Sequence, residues 1–262
     1  MATLTNDAVL AVSELLGVQT LPLVLEVGPR QDSIDTFTTA RADALRGLRG
    51  AGLVDGYDDV EPDLGAALSI LAQPECELAA RIVTASGVRR VCVARRGARH
   101  AAAVRIGDDI EVRTIWADEN GAALARPILD ALGPAQPADI ASFSSTAEEL
   151  SARIDAAARS TEFAEALHGL EVEERAAIEF GMAMSQCHAH AEIVAYAHAD
   201  GRTTRSSGAV AVYDTARGRI AAIPGAAPDL RVWSTFTPGS DHRVAQAITA
   251  LIGTLPGGRW MP

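Results

Sequence analysis

Residues 78–116, LAARIVTASGVRRVCVARRGARHAAAVRIGDDIEVRTIW, carry the pattern that sets the architecture of this chain. Apolar and polar side chains alternate there with the period of two residues that is typical of β-strands, and short turns that contain glycine interrupt the alternation. Because turns this short join antiparallel neighbours, the stretch predicts an antiparallel sheet. Its four predicted strands are Leu78–Thr84, Arg89–Ala94, Ala101–Ile106 and Ile110–Trp116.

On both sides of these strands the pattern changes to the period of 3.6 residues that indicates helices. The first helix is marked at both ends, since Thr5-Asn6-Asp7 precede its apolar stripe and Gly17 follows it. The apolar run Leu21–Val27 instead predicts one more strand, which ends before Gly28-Pro29. Three further helices are predicted over Asp32–Leu48, Val60–Leu71 and Asn120–Leu132.

After Pro134–Ser145, a stretch of proline, alanine and serine, the same order of elements returns. Arg96-Gly97 and Arg217-Gly218 occupy matching turns, and the strands that follow them match at nearly the same offset. The predicted elements of this half are helices over Thr146–Ala158, Glu162–His168 and Glu171–Ser185, strands over His188–His198, Gly208–Tyr213, Arg219–Ile223 and Leu230–Phe236, and a last helix over Ser240–Leu255.

The repeated order predicts an α+β fold with one domain made of two similar halves, residues 1–135 and 136–262. Each half would be a unit of helices, four strands and a helix, and a pseudo-twofold axis would relate the two. Because few residues are identical between the halves, two unrelated α+β halves with coinciding spacing remain the alternative.

The charge of the chain excludes several classes of protein. Its 23 basic residues are all arginine and stand against 34 acidic residues, which gives a net charge of −11. Without lysine the chain cannot be a phosphate-loop nucleotidase, a protein kinase or a Schiff-base enzyme, each of which uses a lysine ammonium group. The acidic surplus also argues against binding to nucleic acid or to an anionic membrane.

Neither the cysteines nor the apolar segments indicate an exported or membrane protein. Cys76, Cys92 and Cys187 are too few and too scattered for a disulfide framework, and Met1–Asp7 lacks the cationic start of a signal peptide. The longest apolar stretches are far shorter than the ~20 residues that a membrane-spanning helix needs. We therefore expect a cytoplasmic protein without membrane insertion.

One cluster is a candidate metal or catalytic site. On its predicted strand, His188, His190 and Glu192 point to the same face, and imidazoles two residues apart on a strand can share a metal ion. No second cluster of histidine and carboxylate is evident in the sequence. The competing interpretation is a polar sheet face, shared with Tyr196 and His198, that meets water or a partner.

Other catalytic motifs are missing from the sequence. There is no Gly-x-Ser-x-Gly nucleophile motif and no Gly-x-Gly-x-x-Gly fingerprint after a strand. Ser240 is expected to cap the last helix, and Cys92 is expected to lie in the core. The acidic loop Asp55–Asp63 lacks the ligand spacing of a calcium-binding EF-hand.

The helical region from Phe163 to Met184 holds more large apolar residues than one buried face of short helices needs. Its methionines suit a groove that receives a helix of another protein, because methionine adapts to different partners. An ordinary bundle core is the competing interpretation. The predicted partner-binding residues are Phe163, Leu167, Leu170, Val172, Ile178, Met182 and Met184 on helices, with His190, Glu192 and Tyr196 on the following strand.

Several segments of the chain match one known family in the correct order. Near the C-terminus these are Trp233–Ser240, WSTFTPGS, and Leu255–Trp260, and in the first half they are Val93–Gly97 and Ala103–Ile110. They resemble, respectively, the C-terminal signature, the close and the central hairpin of the EspG family, the substrate-specific chaperones of actinobacterial type VII (ESX) secretion. Matches of this kind extend over nearly the whole chain.

The resemblance implies a central antiparallel sheet with two helical bundles in a quasi-twofold arrangement. It also implies a chaperone with no catalytic site and no cofactor, which binds the tip of the PPE subunit of a PE–PPE heterodimer in a 1:1:1 complex. The partner surface would lie on the C-terminal bundle and the adjoining sheet, here Thr146–Ser185 and the strands from His188 onward.

The chain departs from this pattern in one loop. Several relatives touch their partner through a long loop between the second and third strands of the first half, whereas Ala85–Val88 leaves only a tight turn here. A metal-dependent enzyme built on His188, His190 and Glu192, and a homodimeric structural or interaction protein, are the alternative functions.

Overall fold

The computed structural model describes residues 2–117, 121–226 and 231–262. Its strands are β1 (Ala2–Thr5), β2 (Cys76–Thr84), β3 (Gly87–Arg96), β4 (Arg99–Ile106), β5 (Asp109–Ile115), β6 (Phe143–Thr146), β7 (Cys187–Ala199), β8 (Arg202–Arg205), β9 (Val210–Thr215), β10 (Gly218–Ala226) and β11 (Val232–Pro238). Its helices are α1 (Asn6–Leu15), α2 (Ile34–Gly50), α3 (Pro62–Ala72), α4 (Gly121–Leu132), α5 (Ala147–Ile154), α6 (Ser160–His168), α7 (Glu174–Met184) and α8 (Asp241–Ile252), and a 3-10 turn covers Leu23–Leu25.

These strands form one antiparallel sheet in the order β1-β5-β4-β3-β2-β7-β9-β10-β11-β6, and β8 pairs with β7 beside this path. At the centre, β2 and β7 are in register over nine residue pairs, from Cys76–Ala197 to Thr84–Ala189. Outward from β2 the order is β3, β4, β5 and β1, and outward from β7 it is β9, β10, β11 and β6. The first strand of each half therefore lies at an edge of the sheet. The predicted α+β fold with a central antiparallel sheet is confirmed, while the division into two equivalent halves stays a prediction.

Each half contains an edge strand in addition to the four predicted strands. β1 pairs with β5, and β6 pairs with β11. Each of these edge strands has only four residues, which is too short for an alternating pattern to stand out from the sequence. The stretch Pro134–Ser145, predicted as a connection, therefore ends inside a strand.

Helices cover the two faces of the sheet differently. One face packs against α4 and α8 in a core that includes Leu78, Ile193 and Ile248. On the other face, α1, α2 and α3 cover the N-terminal strands, while α5, α6 and α7 cover the C-terminal strands around Phe180. Two helical bundles thus stand on this second face, with the central strand pair between them.

The strand predicted at Leu21–Val27 is wrong, because this segment forms the 3-10 turn Leu23–Leu25. Its carbonyl groups bind side chains of the sheet instead of another strand. Arg105 on β4 donates from Nη1 to the carbonyl oxygens of Leu25 and Glu26, at 2.7 Å and 2.6 Å. The apolar run predicted a strand, but carbonyl groups of this segment accept hydrogen bonds from an arginine side chain and not from a neighbouring strand.

Other boundaries differ by a few residues. The helix predicted over Thr146–Ala158 ends at Ile154, and the helix predicted from Glu171 begins at Glu174. The predicted starts at Asn120 and Leu230 lie outside the described residues. Among the helices that the structure describes, none combines the length and the apolar character needed to cross a membrane.

A buried ion pair ties the C-terminal strands to both helices of the covered face. Arg219 on β10 is fully buried, and its Nε and Nη2 atoms lie 2.6 Å and 3.0 Å from the carboxylate of Asp214. Its Nη2 also donates to the carbonyl oxygen of Gly133, just after α4, at 2.8 Å. Gly239 is required beside this pair, because a Cβ atom there would lie 2.6 Å from Cγ of Arg219. Next to it, Ser240 caps α8 as predicted.

Candidate binding surface

The central strands β2 and β7 have two different faces because successive side chains point to opposite sides. Under α4 and α8, their residues are apolar and buried: Leu78, Ala80 and Ile82 on β2, and Ala191, Ile193 and Ala195 on β7. The opposite face carries charged, aromatic and small apolar residues: Glu77, Ala79 and Arg81 on β2, and Glu192, Val194 and Tyr196 on β7. That second face is the floor of a cleft beside the N-terminal helical bundle.

The cleft has a volume of about 730 Å³. Its floor comes from β2, β3, β7 and β8, and its wall comes from two segments of the N-terminal half, residues 20–26 and 71–74. The side chains that rise from the floor are Glu77, Ala79, Arg81, Arg90, Glu192, Val194, Tyr196, His198, Thr203 and Arg205. A concave site of this size at the junction of two halves is the usual setting of a binding site.

Charges in the cleft are paired and balanced. Its lining includes three arginines, Arg81, Arg90 and Arg205, and three glutamates, Glu26, Glu77 and Glu192. Arg90 lies 2.6 Å from Glu26 in the wall, Arg205 lies 3.4 Å from Glu192, and Arg81 is the register partner of Glu192 across the central strands. The cleft therefore has no large surplus of either charge, although the chain as a whole is strongly acidic, which suits an occupant that is itself close to neutral.

A carboxyl group is buried at one end of the floor. Glu77 is only 8% exposed, and this burial raises its pKa to about 7. The Nε2 atom of His198 lies 3.8 Å from Oε2 of Glu77, and its Nδ1 atom lies 3.0 Å from the hydroxyl of Thr203. Burial lowers the pKa of His198, so burial shifts both side chains toward their neutral forms.

The structure separates the partner-binding residues predicted on helices into buried and accessible sets. Phe163, Leu167 and Met184 are buried in the C-terminal core, where the ring of Phe180 packs edge-on against Phe163 and two other phenylalanines. Leu170, Val172 and Met182 are half-buried, and Ile178 on α7 is 46% exposed. Any direct contact with a partner therefore falls to the second group, and the first group shapes the bundle beneath it.

The three predicted strand residues all lie on the open face. Glu192 and Tyr196 line the cleft. His190 is exposed and pairs with Val83 on one side and with Tyr213 on the other. Since Tyr213 packs against the core of the C-terminal bundle, His190 connects the cleft to that bundle in one continuous surface.

Sequence reasoning missed the N-terminal wall of the cleft. The sequence predicts a strand over Leu21–Val27 and a helix over Val60–Leu71 that ends before Pro74, and it assigns neither segment to a site. The available signal was Leu21-Pro22-Leu23, an apolar pair around a proline in a segment with no strand partner. The identity of Leu23 alone could not show that it is exposed.

The alternative of a metal centre gains no support. His188 lies at an irregularity of β7, between Cys187 and Ala189, which removes it from the regular alternation of the strand. In the part of the chain that the structure describes, no group of three His, Cys, Asp or Glu residues is placed to hold a metal ion. Cys92 is fully buried, as predicted, and burial raises the pKa of its thiol.

The turn between β2 and β3 is as short as the sequence predicts. Val83 pairs with Val88 and Thr84 with Gly87, which leaves Ala85 and Ser86 as the two turn residues. The Thr84 hydroxyl donates to the carbonyl oxygen of Gly87 at 2.9 Å and holds the turn closed. No extended loop projects over the cleft from this hairpin.

Comparisons with known proteins agree with this architecture. A solved structure described as the Mycobacterium tuberculosis type VII secretion system chaperone EspG5 in complex with the PE25-PPE41 dimer superposes with a TM-score of 0.81, at 22% identity, over 99% of this chain and 98% of that one. At that level of identity the similarity establishes the fold.

Sequence comparisons extend the similarity to the family. The ESX-3 secretion-associated protein EspG3 of Mycolicibacterium smegmatis is 30% identical over 99% of this chain and 88% of its own length. The ESX-1 secretion-associated protein EspG1 of Mycobacterium tuberculosis is 27% identical over 98% and 88%, respectively. The model of the EspG family matches residues 5–250, which is almost the whole chain, and the chain therefore belongs to the EspG family.

Proposed function

We propose that this protein is a cytoplasmic chaperone of type VII secretion that binds the tip of the PPE subunit of a PE–PPE heterodimer. It keeps that heterodimer soluble and directs it to the secretion machinery, and it acts by binding and not by catalysis. Membership of the EspG family is the observation that carries this proposal, together with the solved EspG5 structure, in which that chaperone is bound to a PE25-PPE41 dimer.

The proposed contact surface runs across the open face of the sheet. It begins at Ile178 and the half-buried residues of the C-terminal bundle, crosses His190, and reaches Glu192 and Tyr196 in the cleft. The short β2–β3 turn leaves this face accessible from above. A client that is held here would make its contacts with the sheet itself and not with a long clasping loop.

The need to cover an apolar helical tip accounts for a broad surface with apolar residues and charges at its rim. A helical client with an exposed apolar tip associates with itself, because large exposed apolar patches are sticky in water. Covering such a tip specifically requires an interface on the order of 1,200–2,000 Å² in total. A few apolar anchors would supply most of the affinity, and charges at the rim would select the partner.

Co-expression with the PE–PPE pairs of the source genome tests the proposal. We expect one pair to co-purify and to give a 1:1:1 complex by size-exclusion chromatography with light scattering. If a folded chain co-purifies with none of the pairs, the proposal is wrong. A dimer of this chain alone in the same measurement would favour the homodimeric alternative.

A charge on the C-terminal part of the surface tests its location. Ile178→Asp places a carboxylate at an exposed position of α7 and should weaken the complex about tenfold or more, while the fold is kept. Phe163→Asp is unsuitable for this purpose because Phe163 is buried and its replacement would unfold the bundle. Unchanged affinity of Ile178→Asp would remove α7 from the proposed surface.

A further inference from the structure

Leu23 stands at the rim of the cleft with 92% of its surface exposed. It begins the 3-10 turn Leu23–Leu25, and two residues later Leu25 is buried, with 2% exposed. One turn therefore points one leucine into the N-terminal core and the other into solvent over the cleft. Single exposed apolar residues are common on protein surfaces, but Leu23 differs from the others in its place at the rim of the cleft, where a bound partner would meet it.

The turn that carries Leu23 is firmly held. Arg105, itself buried, binds the carbonyl oxygens of Leu25 and Glu26 through Nη1 and that of Gly107 through Nε at 3.0 Å. Arg90 on β3 reaches the carboxylate of Glu26 from the cleft floor at 2.6 Å. At the far end of the segment, Nδ2 of Asn6 donates to the carbonyl oxygen of Gly28 at 2.9 Å.

These contacts hold the backbone of the turn, and so the position from which Leu23 projects, before any partner arrives. Glu26 adopts a left-handed conformation with φ of 48°, which a glutamate keeps only when its surroundings impose it. Arg105, Arg90 and Asn6 supply that constraint. A contact residue that is already ordered loses little conformational entropy on binding, so its apolar burial is available to the affinity.

The size and charge of the cleft define what fits against Leu23. A helix with its side chains is about 10 Å wide, so a volume of about 730 Å³ holds roughly one to two turns of one helix. The balanced charges of the lining disfavour a strongly charged occupant. The occupant that meets both conditions is the apolar end of a helical hairpin, not the side of a long helix.

We infer that the Leu23–Leu25 turn is the N-terminal wall of the client site and that Leu23 packs against the apolar helical tip of the PPE subunit. This inference rests on the proposed function and extends it to the half of the chain opposite the C-terminal bundle. The client would then sit between Leu23 on one side and the surface of Ile178 and His190 on the other, above Glu192 and Tyr196.

A matched pair of variants tests the inference. Leu23→Asp places a charge at the wall, and Ile34→Asp makes a similar change at another exposed apolar residue, 78% exposed, that does not line the cleft. The probe is the PE–PPE pair that co-purifies with the unaltered chain, and the readout is its dissociation constant by calorimetry. We expect Leu23→Asp to bind about tenfold or more weakly and Ile34→Asp to bind within about twofold of the unaltered chain.

Further variants separate an apolar contact from a disturbed turn. Leu23→Met keeps the apolar surface and should bind nearly as the unaltered chain does, whereas Leu23→Ser should lose affinity without adding charge. Thermal unfolding by circular dichroism checks that each variant is folded. Undiminished affinity of folded Leu23→Asp overturns the inference and leaves the proposed function standing. If the unaltered chain binds no PE–PPE pair, the proposed function fails, and the inference fails with it.

Discussion

The two faces of the β2–β7 pair belong to the same strands, yet one packs into the core and the other forms the floor of the cleft. The face under α4 and α8 carries Leu78, Ile82 and Ile193, which are almost completely buried. The opposite face carries Arg81, His190 and Glu192, which are exposed between the two helical bundles. Each strand thus stabilises the fold with one set of side chains, and on the opposite face it leaves Arg81, His190 and Glu192 accessible to a partner.

This division means that stability and binding can be altered independently. Replacing a residue on the covered face should cost folding free energy, whereas replacing a residue on the open face should change binding at little cost in stability. Variants of neighbouring residues on one strand, which differ only in the face that they occupy, test the division directly.

The largest effect is expected at the buried ion pair that anchors α4 and α8 to the sheet. Arg219→Ala would leave the carboxylate of Asp214 buried without its partner, and breaking a buried pair in this way costs about 3–5 kcal/mol. Urea unfolding followed by circular dichroism measures the loss. Arg217→Ala, at an exposed arginine two residues earlier, is the control and should change stability by less than about 0.5 kcal/mol. Similar losses in both variants would show that the pair does not anchor the covered face.

Ile193 and Val194 are adjacent on β7 and point to opposite faces, so their alanine variants compare the two faces directly. Ile193→Ala on the covered face should lower the free energy of unfolding by about 2–5 kcal/mol, because it opens a cavity in a closed core. Val194→Ala should cost less, about 1 kcal/mol, because Val194 is only 9% exposed but lines the cleft, so water can enter part of the space that it leaves. Equal costs in denaturant unfolding would mean that the open face is as tightly packed as the covered one.

Glu77 introduces a pH dependence that is specific to the open face. The folded protein holds the Glu77 proton more tightly than the unfolded chain does, since the pKa is raised from 4.5 to about 7. The contribution of this group to stability is therefore full below pH 4.5 and is lost as the pH rises to about 7. Glu77→Gln should gain about 1–3 kcal/mol relative to the unaltered chain between pH 5 and pH 8.

His198 acts with the opposite sign, because burial lowers its pKa and its contribution weakens as the pH falls below 6.5. The measured quantity is therefore the difference between the two proteins at each pH, from urea unfolding. A Glu77→Gln difference that stays constant between pH 5 and pH 8 would refute the burial of an uncharged Glu77.

The smallest effect is expected at the exposed pair of Arg205 and Glu192. Both side chains are about half exposed, so Arg205→Gln should change the free energy of unfolding by less than about 0.5 kcal/mol. Its effect should appear instead in the association rate with the client, and in the salt dependence of that rate. A stability loss above 1 kcal/mol would place this pair among the structural contacts of the fold.

The sequence predicted what depends on repeated patterns. The strands β2 to β5 and β7 alternate over many residues, and their faces follow from that alternation. The same pattern placed His190, Glu192 and Tyr196 on one face, and the structure keeps them there. Caps such as Ser240 were also predictable, because they depend on residues within one turn of the helix.

What the sequence could not predict depends on contacts between distant residues. Leu23 and Leu25 are identical in type and two positions apart, yet one is exposed and the other is buried because Arg105, far along the chain, holds the turn between them. In the C-terminal bundle, Phe163 and Ile178 are both large and apolar, and only the packing around Phe180 decides which is available to a partner. The partner-binding set was therefore predicted as a region and not residue by residue.

The register of β2 with β7 also carries an evolutionary consequence. If the sheet of the first half ended at β2, the outer edge of that strand would be unpaired over nine residues. A second copy of the same edge, related by a twofold axis, could form the missing hydrogen bonds. Fusing two such copies end to end converts a homodimer into one chain. On this model of duplication, the fused copies would diverge, so that one would gain the exposed turn of Leu23 and the other the aromatic cluster around Phe180.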